Sequence, residues 1–173
     1  MVMRIALITK PGHTDSGVSC YTRNLEHNLS SLGYKVVLVH PEVPLPRWLL
    51  KLIHNLSGWD LETFFTNYPI WIQYPEADVF HLISQNMATI TLFRKPPGQT
   101  LITVHDLIPW ALRNDPPLRV YQNKVHKFFD WLALQRIRRI EWVITNSRYS
   151  ADMLISALHS KSNVIDNVSP RVD

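Results

Sequence analysis

A chain of 173 residues is one ordinary domain, long enough to bury a core, and 46% apolar with 18% charged residues makes it globular and excludes intrinsic disorder. A formal net charge of +4 favours anionic partners, such as phosphorylated substrates or an acidic lipid surface, without selecting among them. One cysteine, Cys20, excludes an internal disulfide framework, and no apolar run approaches the roughly 20 residues of a spanning helix.

Residues 3–9, MRIALIT, read as a first strand, followed by the turn-rich loop KPGHTDSG. VSCYTRNLEHNLSSLG has helical periodicity, with Val18, Tyr21, Leu25, Leu29 and Leu32 on one face and Gly33 as a stop. KVVLVHP is a continuous apolar run ended by proline, the pattern of a strand covered on both faces. This β–loop–α–β opening is the first unit of a parallel sheet. PRWLLKLIHNL reads as a short helix with Arg47 and Lys51 beside its apolar residues, a basic and aromatic segment that could lie on a membrane surface. WDLETFFTNYPIWIQYPEA carries many aromatics without a period and reads as an irregular excursion within 43–76.

Order returns with the strand DVFHLIS and a short helix, QNMATITLFRK, closed by Pro96, Pro97 and Gly98. TLITVHD is the next strand. After the DPP turn, LRVYQNKVHKFFDWLALQRIRRI reads as a long helix whose inner face is Tyr121, Val125, Phe128, Phe129, Leu132 and Ile140. EWVITNS is a strand, SRYSADMLISALH a helix and SNVIDNVS a final short strand. The alternation predicts an α/β fold, a doubly wound, mainly parallel Rossmann-like sheet with helices on both faces. Ligands in such sheets sit outside the carboxyl ends of the strands. The loops to watch therefore follow Thr9, His40, Ile83, Val104 and Thr145.

His105 lies at such an end. It reads either as a structural residue bonded to a neighbouring carbonyl, or as a site residue donating to a sugar hydroxyl or phosphate, with Asp106 orienting its ring. Asp106 also reads as a cap. Gly17, just before a helix, either makes a plain turn or lets backbone approach a phosphate. Ser16 is an N-cap candidate, as is Ser147, and Arg148 could reach an anionic ligand. The dinucleotide fingerprint G-x-G-x-x-G, the P-loop lysine and the nucleophile elbow are missing. Eight scattered histidines with no H-x-x-x-H, C-x-x-C or D-x-D spacing predict no metal site, and no basic face with stacking aromatics predicts nucleic-acid binding. The N-x-S/T triplets at Asn28, Asn55 and Asn167 read as chance occurrences, since no secretion signal is recognisable. A cytoplasmic chain, soluble or peripheral on the inner membrane face, is expected.

The order MRIALIT…SGVSCYTRNLEHNLSSLGYKVVLV, ADVFHL, TLITVHDLIPW, RRIEWVITNSRYSADML resembles the amino-terminal domain of family 4 glycosyltransferases, GT-B enzymes that retain anomeric configuration. The resemblance implies that Gly17 contacts the donor diphosphate or sugar, with Ser16 standing where a first glycine is usual. It implies that His105 lies beside the transferred sugar, with Asp106 completing the common H-D pair. Thr145 to Ser150 match the family's V-[ST]-x-[FY]-[ST] stretch, Asn146 being a departure, which places Ser147 and Arg148 near the donor phosphate or sugar. The implied reaction is metal-independent and cofactor-free, moving a sugar from a nucleotide-sugar donor to an acceptor hydroxyl. Family members carry a second, donor-binding domain, and VIDNVSPRVD resembles the segment leading into it. The whole chain, 1–173, is therefore expected to be the acceptor-side half, incomplete as a catalyst without a C-terminal domain or partner subunit. Two other readings stay open: a non-catalytic half-transferase docking on a separate subunit or membrane, and an unrelated Rossmann-like domain for a small ligand.

Overall fold

The computed structural model describes residues 2–11, 16–43, 45–115, 118, 121, 123–158 and the backbone of 164–166. Six parallel strands form one sheet in the order β2-β1-β3-β4-β5-β6. They are β1 (Arg4–Ile8), β2 (Lys35–Val39), β3 (Val79–Leu82), β4 (Gln99–Val104), β5 (Trp142–Thr145) and β6 (Val164–Asp166). Ile5 pairs with Val36 on one side and Val79 on the other, so the chain reverses its direction of winding between β1 and β3. That reversal is where an open α/β sheet leaves a crevice at its carboxyl edge.

Side-chain alternation assigns the two faces. Ile5 and Leu7 pack against α1 (Gly17–Ser31) through Val18, Tyr21, Leu25 and Leu29. Ala6, Ile8, Phe80, Leu82, Ile102, Val104 and Val143 point the other way, into the main core. There they meet the 3-10 helix Gln85–Leu92, α5 (Lys124–Ile137) and α6 (Arg148–Leu158), represented by Met87, Leu134, Ile137 and Leu154. Gly98 marks the entry to β4. A methyl group there would lie 2.7 Å from the Asp78 carbonyl oxygen, 3.2 Å from that of Ala77 and 3.1 Å from the Phe80 ring.

Several expectations are corrected. The run KVVLV is not covered on both faces: β2 is an edge strand paired only with β1, and Leu38 is 38% exposed. Leu32 is the C-cap of α1, beyond its packed stripe, and is exposed. Within the short helix read over 85–95, Gln85–Leu92 form a 3-10 helix and the last three residues lie outside it. The region read as irregular contains α3 (Leu61–Asn67), capped by Asp60, whose carboxylate accepts from the Thr63 N–H at 2.9 Å. A single turn, α4 (Ile108–Ala111), follows β4.

The long helix of 118–140 begins only at Lys124, because Asn123 is its N-cap and accepts from the His126 N–H at 3.0 Å. Tyr121 precedes the helix. Phe128 is exposed, since the buried stripe runs through Ala133, Leu134 and Ile137. The short helix read over 46–56 is present as α2 (Arg47–Ser57), ended by Gly58 at φ 70°. It buries Leu50 and exposes Trp48, Leu52 and Leu56, one stripe at four-residue spacing. The loop residues 12–15, Pro116 and Pro117 of the DPP turn, and Asn167 lie outside the described residues.

Candidate functional site

Two elements converge on His105. Tyr21, at the start of the second turn of α1, presents its ring edge-on at 5.0 Å, and Ser150, in the first turn of α6, donates from Oγ to the His105 carbonyl at 3.4 Å. The amino ends of both helices, each carrying partial positive charge, therefore abut the histidine that follows β4. The imidazole is half-buried and its Nε2 donates to the Ile83 carbonyl at 2.9 Å. In the neutral ring this leaves Nδ1 as an acceptor, suited to a hydroxyl that donates.

Beneath it lies a buried polar layer. Thr103 Oγ1 is 3.2 Å from the Tyr21 hydroxyl and 2.8 Å from His81 Nε2. The layer follows from strand alternation, because residues 103 and 105 fall on the α1 face of the sheet. Burial, and then the neighbouring His105, push the His81 imidazole down to about 3. Unfolded, it would take up a proton near its ordinary value of about 6.5. Between those limits the unfolded state binds more protons, so stability falls as pH is lowered through the window, by up to about 1.4 kcal/mol per pH unit. A plot of unfolding midpoint against pH should steepen below about pH 6 and flatten in His81→Gln. An unchanged acid limb in the variant would remove His81 from the account.

The remaining sequence candidates occupy the same edge. Ser16 caps α1, its hydroxyl accepting from the Ser19 N–H at 3.2 Å. Gly17 opens the helix, and a methyl group there would meet nothing within 4 Å among the described residues, so none of those contacts requires glycine. Ser147 accepts from the Ser150 N–H at 3.1 Å and donates to its hydroxyl at 3.0 Å, which is N-cap geometry. Arg148 is exposed on the first turn of α6. Asp106 does not touch the His105 ring. Its carboxylate accepts from the Ile108 N–H at 3.2 Å, closing the turn into α4.

His105 and Asp106 are adjacent and look in different directions. His105 meets α1, whereas Asp106 lines a cavity of about 410 Å³ on the other side of the sheet edge. That cavity lies between α3, the start of the 3-10 helix, α4 and α5, and its polar lining includes Gln85, Asn67, Tyr68, Tyr121 and Asp130. Tyr68 donates to Asp130 Oδ1 at 2.6 Å, and burial, then Asp130, push its phenol well above the usual range. Lys10, just past β1, donates to Asn67 Oδ1; burial pushes its ammonium down while Asp130 opposes that shift. The sequence reading missed this set. Gln85 was within reach of the carboxyl-edge rule, since it follows β3 directly, but Asp130 sits in the apolar stretch FFDWLAL and carries no local signal.

Among the described residues no three His, Cys, Asp or Glu side chains gather as a metal site would require, and no helix is long and apolar enough to cross a membrane.

Residues 16–168 match the sequence model of Glycosyltransferase Family 4. Among solved structures, the chain is similar to a segment of sucrose-phosphate synthase from Thermosynechococcus elongatus at 14% identity and TM-score 0.52, covering 98% of this chain and 91% of that one. It also matches a longer chain of the same synthase at 16% identity and TM-score 0.53, covering 95% of this chain and 47% of that one. The chain thus spans about half the length of that protein, and likeness at this identity speaks for the fold. No curated protein matches the chain.

Proposed function

Given that the chain belongs to glycosyltransferase family 4, we propose that it is the acceptor-side domain of an enzyme that moves a sugar from a nucleotide-activated donor to an acceptor hydroxyl with retention. The observation that carries the reading is the convergence on His105 of the amino-terminal parts of α1, through Tyr21 in its second turn, and α6, through Ser150 in its first, at the carboxyl edge of β4. Two helix amino ends and an imidazole suit a ligand with a diphosphate joined to a sugar: the helix ends favour the anion and the ring addresses a hydroxyl. Gly17 offers a backbone N–H with nothing among the described residues crowding its Cα, and Arg148 adds an exposed cation. Electrostatic stabilisation of the departing diphosphate is the part of the mechanism to which these groups contribute.

His105 therefore serves as a sugar-positioning residue. With Nε2 engaged by Ile83, it accepts at Nδ1 from a sugar hydroxyl when neutral, which refines the expectation that it donates. Asp106 acts on the loop that follows. Donor base and sugar are selected in a second domain, so this chain alone holds only part of the donor contacts. Titrated with UDP- and GDP-linked hexoses, it should bind none tighter than about millimolar. Transfer of labelled sugar should appear only when a donor-binding half is supplied. Failure of that joined form to release nucleotide from any activated sugar would sink the reading.

A further inference from the structure

We propose that the cavity bounded by α3, the 3-10 helix, α4 and α5 is a recognition site for an uncharged, polyhydroxylated ring, a hexose or cyclitol, presented as the acceptor. The word acceptor rests on the family reading; the ligand class rests on the cavity alone.

The first ground is a buried polar atom left without a partner. Gln85 Nε2 donates to the Asp106 carbonyl at 3.0 Å, which fixes the orientation of the amide and leaves Oε1 as its free end. That oxygen is buried and lacks a hydrogen-bond partner among the described residues, whereas the Tyr121 hydroxyl, also buried, lies within reach of the Asp130 carboxylate. Leaving such an atom unmet is costly, and Gln85 lines the cavity. Gln85 Oε1 can only accept, so the occupant must donate, and a hydroxyl meets that requirement.

The second ground is charge. Asp130 accepts from Tyr68 and lies in the field of Lys10, whose ammonium is held by Asn67. The carboxylate is thereby balanced and calls for no cationic ligand, and it lines the cavity, where it opposes an anion although the Arg113 guanidinium stands 4.1 Å over the Trp110 ring at the wall. Strong acceptors beside an apolar wall, here Trp110 and Leu107, match the two aspects of a sugar ring: hydroxyls at the rim and C–H groups on the face. The volume, about 410 Å³, falls within the range of roughly 300–1,000 Å³ usual for small-ligand clefts. Asp106 borders this cavity while its neighbour His105 borders the donor side, so an acceptor here would lie next to the sugar to be moved.

The test is titration of the 173-residue chain with glucose, mannose, galactose, N-acetylglucosamine, myo-inositol and glucose 6-phosphate, followed by ligand-observed NMR and tryptophan fluorescence. At least one neutral ring should bind with a dissociation constant near ~1 mM, and glucose 6-phosphate should bind more weakly than glucose. Asp130→Asn should weaken binding about tenfold or more, the usual consequence of losing a charge-assisted hydrogen bond. Tyr121→Phe removes a hydroxyl held beside the Asp130 carboxylate, so it should weaken binding severalfold, and a melting curve run in parallel separates that loss from any loss of stability. No neutral ring binding, binding indifferent to both substitutions, or tighter binding of the phosphate ester would each overturn the proposal. Transfer activity in the joined enzyme without ring binding here would discard this ligand class and keep the family reading. Ring binding with no transfer from any nucleotide sugar would do the reverse.

Discussion

His105→Ala, in the enzyme that carries both halves, should lower kcat by about 10²–10³-fold, the usual cost of removing one positioned hydrogen-bonding group from a polar active site. The imidazole is held on two sides, by the Ile83 carbonyl at 2.9 Å and by the Tyr21 ring edge at 5.0 Å, so its direction is fixed before any sugar arrives. Pre-orientation of that kind is what an alanine cannot replace. Losing the Ile83 bond should also cost stability, of the order of 1 kcal/mol, which a melting curve run in parallel will separate from the loss of turnover. Donor KM should change less than kcat if the ring acts on the sugar as the bond breaks. A kcat within twofold of wild type would remove His105 from the mechanism.

Among the described glycines, Gly98 is the one where an added methyl meets fixed backbone, so Gly98→Ala should be clearly destabilising. Its Cβ would sit 2.7 Å from the Asp78 carbonyl oxygen, and that oxygen has no freedom to retreat. Asp78 receives Gln99 N–H on this carbonyl at 3.2 Å, donates its own N–H to Arg4 at 2.9 Å, and accepts the Arg4 N–H on its carboxylate at 2.8 Å. Relief would require moving β4 away from β3 where the pair begins. Overpacking against fixed neighbours costs about 1–3 kcal/mol. At roughly 2–4 °C per kcal/mol for a domain of this size, the melting temperature should fall by roughly 2–12 °C. Gly17→Ala is the contrast. Among the described residues nothing lies within 4 Å of the added methyl, so stability should hold or rise, while donor use should suffer if backbone approaches the phosphate there. Equal melting temperatures for Gly98→Ala and wild type would refute the packing argument.

The parallel-sheet frame was legible because its signals are local. MRIALI, VFHL and TLITV each carry an apolar run bounded by breakers, and the carboxyl-edge rule then placed His105 without any contact being known. Face assignments failed where the neighbour decides. Nothing in KVVLV says that β2 has only one partner, and Phe128 lies in the same apolar stretch as Phe129 yet falls outside the packed stripe. α3 is short and aromatic on several sides: Phe64 packs on Phe129 and His126, more than sixty positions downstream, so no period could form within the helix itself. The cavity was illegible for a related reason. Its polar groups come from several elements, and the feature that marks them, a buried amide oxygen with no partner among the described residues, exists only once those elements have met.

The position of β1 between β2 and β3 has a consequence in time. Ile5 pairs with Val36 and with Val79, so one side of the first strand can close early while the other waits for a segment 74 residues further along. At ribosomal speeds of about 5–20 residues per second that wait is roughly 4–15 s. During it, Ala6, Leu7 and Ile8, all fully buried at the end, belong to a strand with one unpaired edge. That edge of β1 is therefore open to wrong pairing during synthesis, and the arrival of VFHL is the event that closes it.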